Sequence, residues 1–401
     1  MVWLLWGSVA LSISPLPAAI TGIGGNVVFL VGCFLFLAYF LLRGGKLYPK
    51  KFLLALLSVG ATIPAIAYWR EPGLALQSIY FVFSVLVLVT LNNQSVFRFS
   101  EIATKTLLAI SIGAWIGFLY AFLGGKPLFA INNPDERLNE FFLTTFSNWS
   151  IGNLIRPAGL FDEPGALSFL ICLVAALRSQ LNQSKKTTWL LLSLGLITTS
   201  VAHVIYMACH AAHDRRLFLM KKKYLFAAIL AGVALAANVD QPDSFETEIF
   251  LSRFVVEDGK LGGDSRTDLL TSALEKIDLR VFFFGLDSDC VLRPALCTMK
   301  GYGPFGETPA GIILLLGIFL SMPYFFVLIA TLYIAIGRQG FVFIGIFLLL
   351  LQRPYVLTFG YSLLILIVVF GVRASRSIRH TARAQAPPRT GLQASTNATC
   401  I

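Results

Sequence analysis

The feature that most constrains this chain is a succession of apolar blocks, each close to the length that crosses the hydrocarbon of a bilayer and almost free of charge. Inside hydrocarbon every backbone N–H and C=O must be paired within its own segment, so blocks of this kind are helices. They run over about 2–22, 25–42, 52–69, 73–91, 106–124, 164–182, 224–239, 312–336 and 355–372. Two further stretches, 187–211 and 340–352, are shorter or awkwardly flanked. A soluble domain would need polar faces on most of these helices, and they are missing. The chain is 56% hydrophobic and 13% charged, against about 25% charged in soluble domains. The first block lacks a charged leader and is interrupted by Pro15 and Pro17. It is expected to remain as a first span instead of being cleaved.

The net charge of +11 is arranged for a membrane, not for nucleic acid. Short loops on one side, together with the C-terminal tail, collect 20 of the 32 basic residues but only Glu101 and Asp214 of the 21 acidic ones. That asymmetry predicts both termini in the cytoplasm. Residues 187–211 have basic flanks at both ends, Lys185/Lys186 and Arg215/Arg216. Two inner flanks require an even number of passes, so a short hairpin turning near Thr198–Ser200 is expected. A single span with some positive charge outside is the plainer reading. Arg338 and Arg373 similarly bracket two short spans around an outer turn at Gln352-Arg353-Pro354. The expected architecture is an all-α transmembrane bundle of about 12 spans over 1–373. It has two large extracytoplasmic loops, 125–163 and 240–311, and a disordered basic cytoplasmic tail over 374–401.

Cys33, Cys172 and Cys209 fall in apolar segments and read as packing residues. Cys290 and Cys297 share the second outer loop, where an oxidising compartment would permit a disulfide. Two free thiols are the alternative, and the loop has no histidine to complete a zinc set.

Three segments carry residues suited to chemistry. The first is RPAGLFDEPG, 156–165, with Arg156, Asp162 and Glu163 where the first outer loop meets a span. Pro164 suits a helix's first turn, and the two carboxylates then sit at its positive end. A helix cap beside a solvated arginine would look the same. The second is GGDSRTDLLTSALEKID, 262–278. Ser265 and Asp268 make a capping box, and Leu269, Leu270, Ala273, Leu274 and Ile277 recur at helical spacing. Arg266 then lies in a first turn, against the helix dipole; a solvated arginine on a surface helix is the plainer reading. The third is Gln352-Arg353-Pro354-Tyr355. An ionisable residue at membrane depth is a functional candidate, unless its long side chain reaches back to the interface. Asp287 and Asp289, and the histidines 203, 210 and 213, do not form a persuasive metal set. No phosphate-binding Gly-Lys loop, Gly-x-Ser-x-Gly or His-Glu-x-x-His occurs.

The stretch RPAGLFDEPGALSF resembles the Arg-x-x-Gly-Leu-Phe-x-Glu-Pro pattern of Wzy-like O-antigen and exopolysaccharide polymerases. SRTDLLTSALEKI followed by VFFFG resembles a later segment of that family, and the span count and long late outer loop agree. The resemblance implies an inner-membrane glycosyltransferase acting on the outer face. Its substrate is an undecaprenyl-pyrophosphate-linked oligosaccharide, and it uses no cofactor and no metal. Its partners would be the lipid bilayer, a chain-length regulator and a flippase. Arg156 matches the motif arginine, Glu163 the motif acid and Arg266 the helix-leading arginine. Arg353, with Tyr355, is added from its position alone. The expected roles are pyrophosphate and glycan binding by Arg156, Arg266, Arg353 and Tyr355, with Glu163 and Asp162 as the catalytic carboxylates and Glu163 serving as base or as arginine orienter. Two alternatives stand beside this. O-antigen ligases share the architecture and carrier, but rely on a histidine in the large loop, and none occurs between His213 and His380. A lipid-linked sugar flippase or transporter would instead place charges in mid-span.

Overall fold

The computed structural model describes residues 1–44, 52–132, 138–214, 256–257, 260–261, 265–292, 297, 308–336 and 340–384. The expected span at 224–239 lies outside them. The protein is mostly helical. Among the described residues four helical stretches, Gly25–Leu42, Pro72–Thr90, Asn93–Phe122 and Pro309–Ile336, are long and apolar enough to cross a membrane, and five further apolar helices are shorter.

The first apolar block is two helices, α1 (Val2–Ile13) and α2 (Leu16–Thr21), parted where Pro15 and Pro17 remove backbone donors. Ser14 at the break donates to the carbonyl of Leu160 at 2.6 Å, tying the end of α1 to the RPAGLFDEPG segment. Ser8 and Ser12 lie one turn apart on α1. A β-carbon on Gly32 would strike Ser8, and one on Gly25 or Gly360 would strike Ser12. Within a bilayer helices gain nothing by leaving water, so close approach over small residues is what holds them together.

Helices α3 (Gly25–Leu42), α4 (Leu53–Trp69), α5 (Leu76–Thr90) and α6 (Asn93–Phe122) follow. Helix α6 starts well before the expected span at 106, because the Asn92 side chain caps it by accepting the Ser95 amide at 2.8 Å. The centre is occupied by α7 (Pro164–Gln180) and α15 (Phe359–Ala384), whose facing residues are sealed: Leu170–Val174 and Leu363–Val368 are fully buried. Helix α7 is buried on all sides, from Pro164 to Leu177.

Residues 187–211 form a hairpin of α8 (Lys185–Gly195) and α9 (Val201–His213), reversing at Thr199 in the left-handed region (φ 47°). The ends of the two arms meet where Lys185 pairs with Asp214. His203 closes the inner face, with Nε2–H donating to the Leu192 carbonyl at 2.8 Å and Nδ1 3.3 Å from the Ser168 hydroxyl.

The chain is mostly helical, and residues 129–155 add short strands to it: β1 (Phe129–Asn132), β2 (Leu138–Phe142) and β3 (Thr145–Ser147) in one antiparallel sheet, β4 (Ser150–Ile151) and β5 (Leu154–Ile155) in another. A further pair, β6 (Val256–Glu257) and β7 (Lys260–Leu261), falls between α9 and the helices that follow. Phe129 faces Phe141, and Phe141 faces Phe146, with ring centroids 4.8 Å apart in each pair. Such cross-strand aromatics stabilise a small sheet. The sheet rests on α6 where Gly113 and Gly117 leave room, and Thr144 donates to the Gly113 carbonyl at 2.6 Å. Helix α15 continues to Ala384, past the expected end of the last span near 373. Alanine and arginine are good helix formers, and extending a helix already nucleated in the core costs little.

Later in the chain come α10 (Ser265–Glu275), α11 (Leu279–Phe284) and α12 (Ser288–Leu292). They sit against the start of α13 (Pro309–Ile336), with α14 (Gly340–Gln352) completing the bundle. Cys290 and Cys297 form a disulfide, Cα atoms 4.9 Å apart, inside the small core where Ala273, Val281 and Leu314 also pack. Helix α13 breaks at Gly317, and Gly285 of the VFFFG segment lies against the break, backbone on backbone; both glycines have positive φ.

Candidate functional site

The site forms where the start of α7 meets the turn between α14 and α15. Pro164 fills the first position of α7 and leaves Glu163 as the N-cap in extended conformation. An N-cap carboxylate commonly accepts an amide of its own first turn, but Glu163 makes no such cap bond. It forms an ion pair with Arg353, which lies one residue beyond the end of α14. Helix α14 ends there because Pro354 has no N–H and restricts the residue before it. The Arg353 amide still donates to the Leu349 carbonyl at 2.8 Å, so its backbone is held by the last helical turn.

Tyr355 completes the set. Arg353 Nη1 donates to the Tyr355 hydroxyl at 2.7 Å, and that hydroxyl donates to Glu163 Oε1 at 3.3 Å. One carboxylate oxygen therefore accepts from both a guanidinium and a phenol. The arginine and glutamate side chains are 10% and 14% exposed, sheltered enough to strengthen the pair yet open to a ligand. Tyr361 stands against Tyr355 with centroids 4.5 Å apart, and Phe169 of α7 meets both rings edge-on at 5.6 Å. Tyr361 is also within electrostatic range of Asp162, Glu163 and Arg353. A β-carbon on Gly165 would run into the Arg353 guanidinium, so glycine is what lets the arginine lie across the first turn of α7.

The other candidates are placed differently. Arg156 donates through Nε to the Thr199 hydroxyl at 3.0 Å and through Nη2 to the Thr198 carbonyl at 3.3 Å, bracing the tip of the α8–α9 hairpin. The glycine of its motif is structural. Gly159 has φ 64°, and the Phe146 amide donates to its carbonyl at 2.7 Å, docking the segment on β3. Asp162 is half-buried beside Glu163. Arg266 has its backbone in the first turn of α10, and its side chain lies outside the described atoms. Glu163, Arg353 and Tyr355 are thus brought together, and Arg156 is held on a neighbouring element. Sequence reasoning did not single out Gly165, Tyr361, Phe169 or Thr199. A glycine directly after Glu-Pro was the available signal for the first, and the aromatic spacing after Arg353 for the second.

Fold and site together describe a helical membrane protein with a sheltered guanidinium–carboxylate–phenol cluster at one end of its bundle. No family model, characterised protein or solved structure matches the chain.

Proposed function

We propose that this protein is a polysaccharide polymerase of the bacterial inner membrane, joining undecaprenyl-pyrophosphate-linked oligosaccharide units on the outer face. In this reading the bundle has about 12 spans, both termini lie in the cytoplasm, and the strand-bearing 125–163 and the long 240–311 loops face outward. The observation that carries the proposal is the Glu163–Arg353–Tyr355 cluster, built from segments 190 residues apart in a bundle whose spans are otherwise almost free of charge. The polymerase-like RPAGLFDEPG segment supplies the glutamate.

The chemistry follows from the cluster's partners. A guanidinium is well shaped to hold a diphosphate in bidentate fashion. When the diphosphate of the donor reaches Arg353, it replaces Glu163 as the guanidinium's anion and releases the carboxylate. The acceptor sugar hydroxyl then attacks the anomeric carbon, and the bond from that carbon to the diphosphate oxygen breaks. The diphosphate leaves with the electron pair, held by arginine, and the hydroxyl proton passes to Glu163. Arg156, braced on the hairpin tip, and Arg266 are assigned to the rest of the diphosphate and glycan. Asp162 adds negative charge beside the base.

Deleting the gene and examining surface glycan tests the class. A polymerase defect leaves single repeats on the acceptor and no long chains. Loss of all repeats from the acceptor would point to a ligase, and lipid-linked units trapped on the inner face to a flippase. Arg156→Ala and Glu163→Ala should each abolish polymer at normal protein level. Wild-type polymer from either variant removes that residue from the site.

A further inference from the structure

At the end of the bundle opposite Glu163 and Arg353, a cleft of about 490 Å³ opens between the start of α1, the last turns of α3 and the first turns of α6. Its lining is divided. Trp3, Phe36 and Phe40 make an apolar half, and Arg98, Glu101 and Lys105 supply the charges of the other half. The three charged residues recur at three- and four-residue spacing, which places them on one face of α6. All three are exposed, and among the described residues none makes a hydrogen bond or an ion pair, although Glu101 lies within electrostatic range of Arg178.

Helix α6 has 30 residues, about 45 Å at 1.5 Å per residue, against a hydrocarbon thickness of roughly 30 Å. Its charges stop at Lys105, so residues 93–105 lie at headgroup depth, the level where aromatic residues such as Trp3 and Tyr39 also gather. Two cations alone would take any phosphate. The carboxylate between them narrows the class, because it repels a purely anionic headgroup and attracts an ammonium.

We propose that this cleft binds a zwitterionic aminophospholipid, with its phosphate at Arg98 and Lys105, its ammonium at Glu101 and an acyl chain along Phe36 and Phe40. The inference rests on the membrane architecture and is independent of the glycosyltransferase reading. The test is native mass spectrometry of the full-length protein, purified and delipidated in detergent. It is titrated with phosphatidylethanolamine, phosphatidylglycerol and soluble glycerophosphoethanolamine. Wild type should retain phosphatidylethanolamine in preference to phosphatidylglycerol. Arg98→Ala and Lys105→Ala should each lower its occupancy about tenfold, the worth of one charge-assisted hydrogen bond. Glu101→Gln should raise phosphatidylglycerol to the same level. Equal retention of the two lipids by wild type overturns the proposal. So does undiminished phosphatidylethanolamine on the Arg98→Ala/Lys105→Ala double variant. Competition by glycerophosphoethanolamine at lipid concentrations overturns it as well, because the apolar half would then contribute nothing. The three side chains are exposed, and a monodisperse elution profile checks that each variant keeps its fold.

Discussion

Two arginines buried at opposite ends of α7 have been given different partners. Arg178, in its last turn, is 4% exposed and hydrogen-bonded to neutral oxygens: it donates to the hydroxyls of Thr188 at 3.0 Å and Thr104 at 2.9 Å, and to the Ser184 carbonyl at 3.2 Å. These bonds join α6, α7 and α8, and the cation sits at the negative end of its helix. Arg353, against the first turn of α7, is 8% exposed and held by a carboxylate and a phenol. A cage of backbone and threonine oxygens has nothing to exchange, so Arg178 is a staple. A carboxylate can be replaced at the guanidinium by another oxyanion, so Arg353 is equipped to bind one.

The comparison breaks most clearly on substitution of each arginine. Arg353→Ala should reduce long-chain glycan by about 100-fold or more, the usual cost of removing one group that stabilises developing charge, while leaving the amount of protein near normal. Arg178→Ala should do the reverse. Three charge-assisted bonds are lost, so thermal stability in detergent should drop by roughly 3 kcal/mol or more, with polymer per folded molecule nearly unchanged. If Arg178→Ala abolished polymer in a protein of normal stability, or Arg353→Ala merely melted earlier, the two roles would have to be exchanged.

Gly165→Ala sharpens the same contrast without removing a charge. The added methyl meets the far end of the Arg353 side chain, not backbone, so the arginine can swing aside and the fold should survive. The guanidinium would then leave its place beside Glu163 and Tyr355. A displacement of about 1 Å in a catalytic group costs on the order of tenfold to a hundredfold in rate. Polymer output should fall by that factor while the melting temperature barely moves. Output at the wild-type level would show that the position of Arg353 is not critical.

Much of this arrangement is readable from sequence, and the remainder fails for physical reasons. The α8–α9 reversal follows from charge, because Lys185/Lys186 and Arg215/Arg216 cannot both lie on the basic side unless the chain turns back; the Lys185–Asp214 pair shows where the arms meet. Glu163 and Arg353 could each be suspected from residue type. Their contact could not, since it depends on how α14 and α15 pack on α7, across a separation that leaves no local trace. Arg178 reads as one loop charge among many, because burial of a helix's last turn depends on what packs over it. The strands of 125–163 are two to five residues long, too short for an alternating pattern to stand out, and their seat on Gly113 and Gly117 of α6 is a tertiary contact. The continuation of α15 to Ala384 leaves no mark in composition for a different reason: composition reports on an isolated segment, whereas this one inherits a helix.

The smallest effect concerns Thr199, which ties Arg156 to the hairpin tip. A β-branched residue at φ 47° is strained by about 1 kcal/mol or more, and such strain persists only where something holds it. Here Arg156 donates to the Thr199 hydroxyl, which itself donates to the Thr198 carbonyl at 2.9 Å. Thr199→Gly relieves the backbone and removes the hydroxyl, so two terms of about 1 kcal/mol oppose each other and thermal stability should hardly change. Arg156 would nevertheless lose its hold on the Thr199 hydroxyl, and polymer output should fall twofold to threefold. Thr199→Val keeps the β-branch and the strain but loses the hydroxyl, so it should melt earlier by about 1 kcal/mol with the same fall in output. The pair separates the backbone from the hydrogen bond. If both variants polymerised like wild type, bracing by the hairpin would be irrelevant to Arg156, and the functional end of the molecule would shrink to the contact between α7 and the α14–α15 turn.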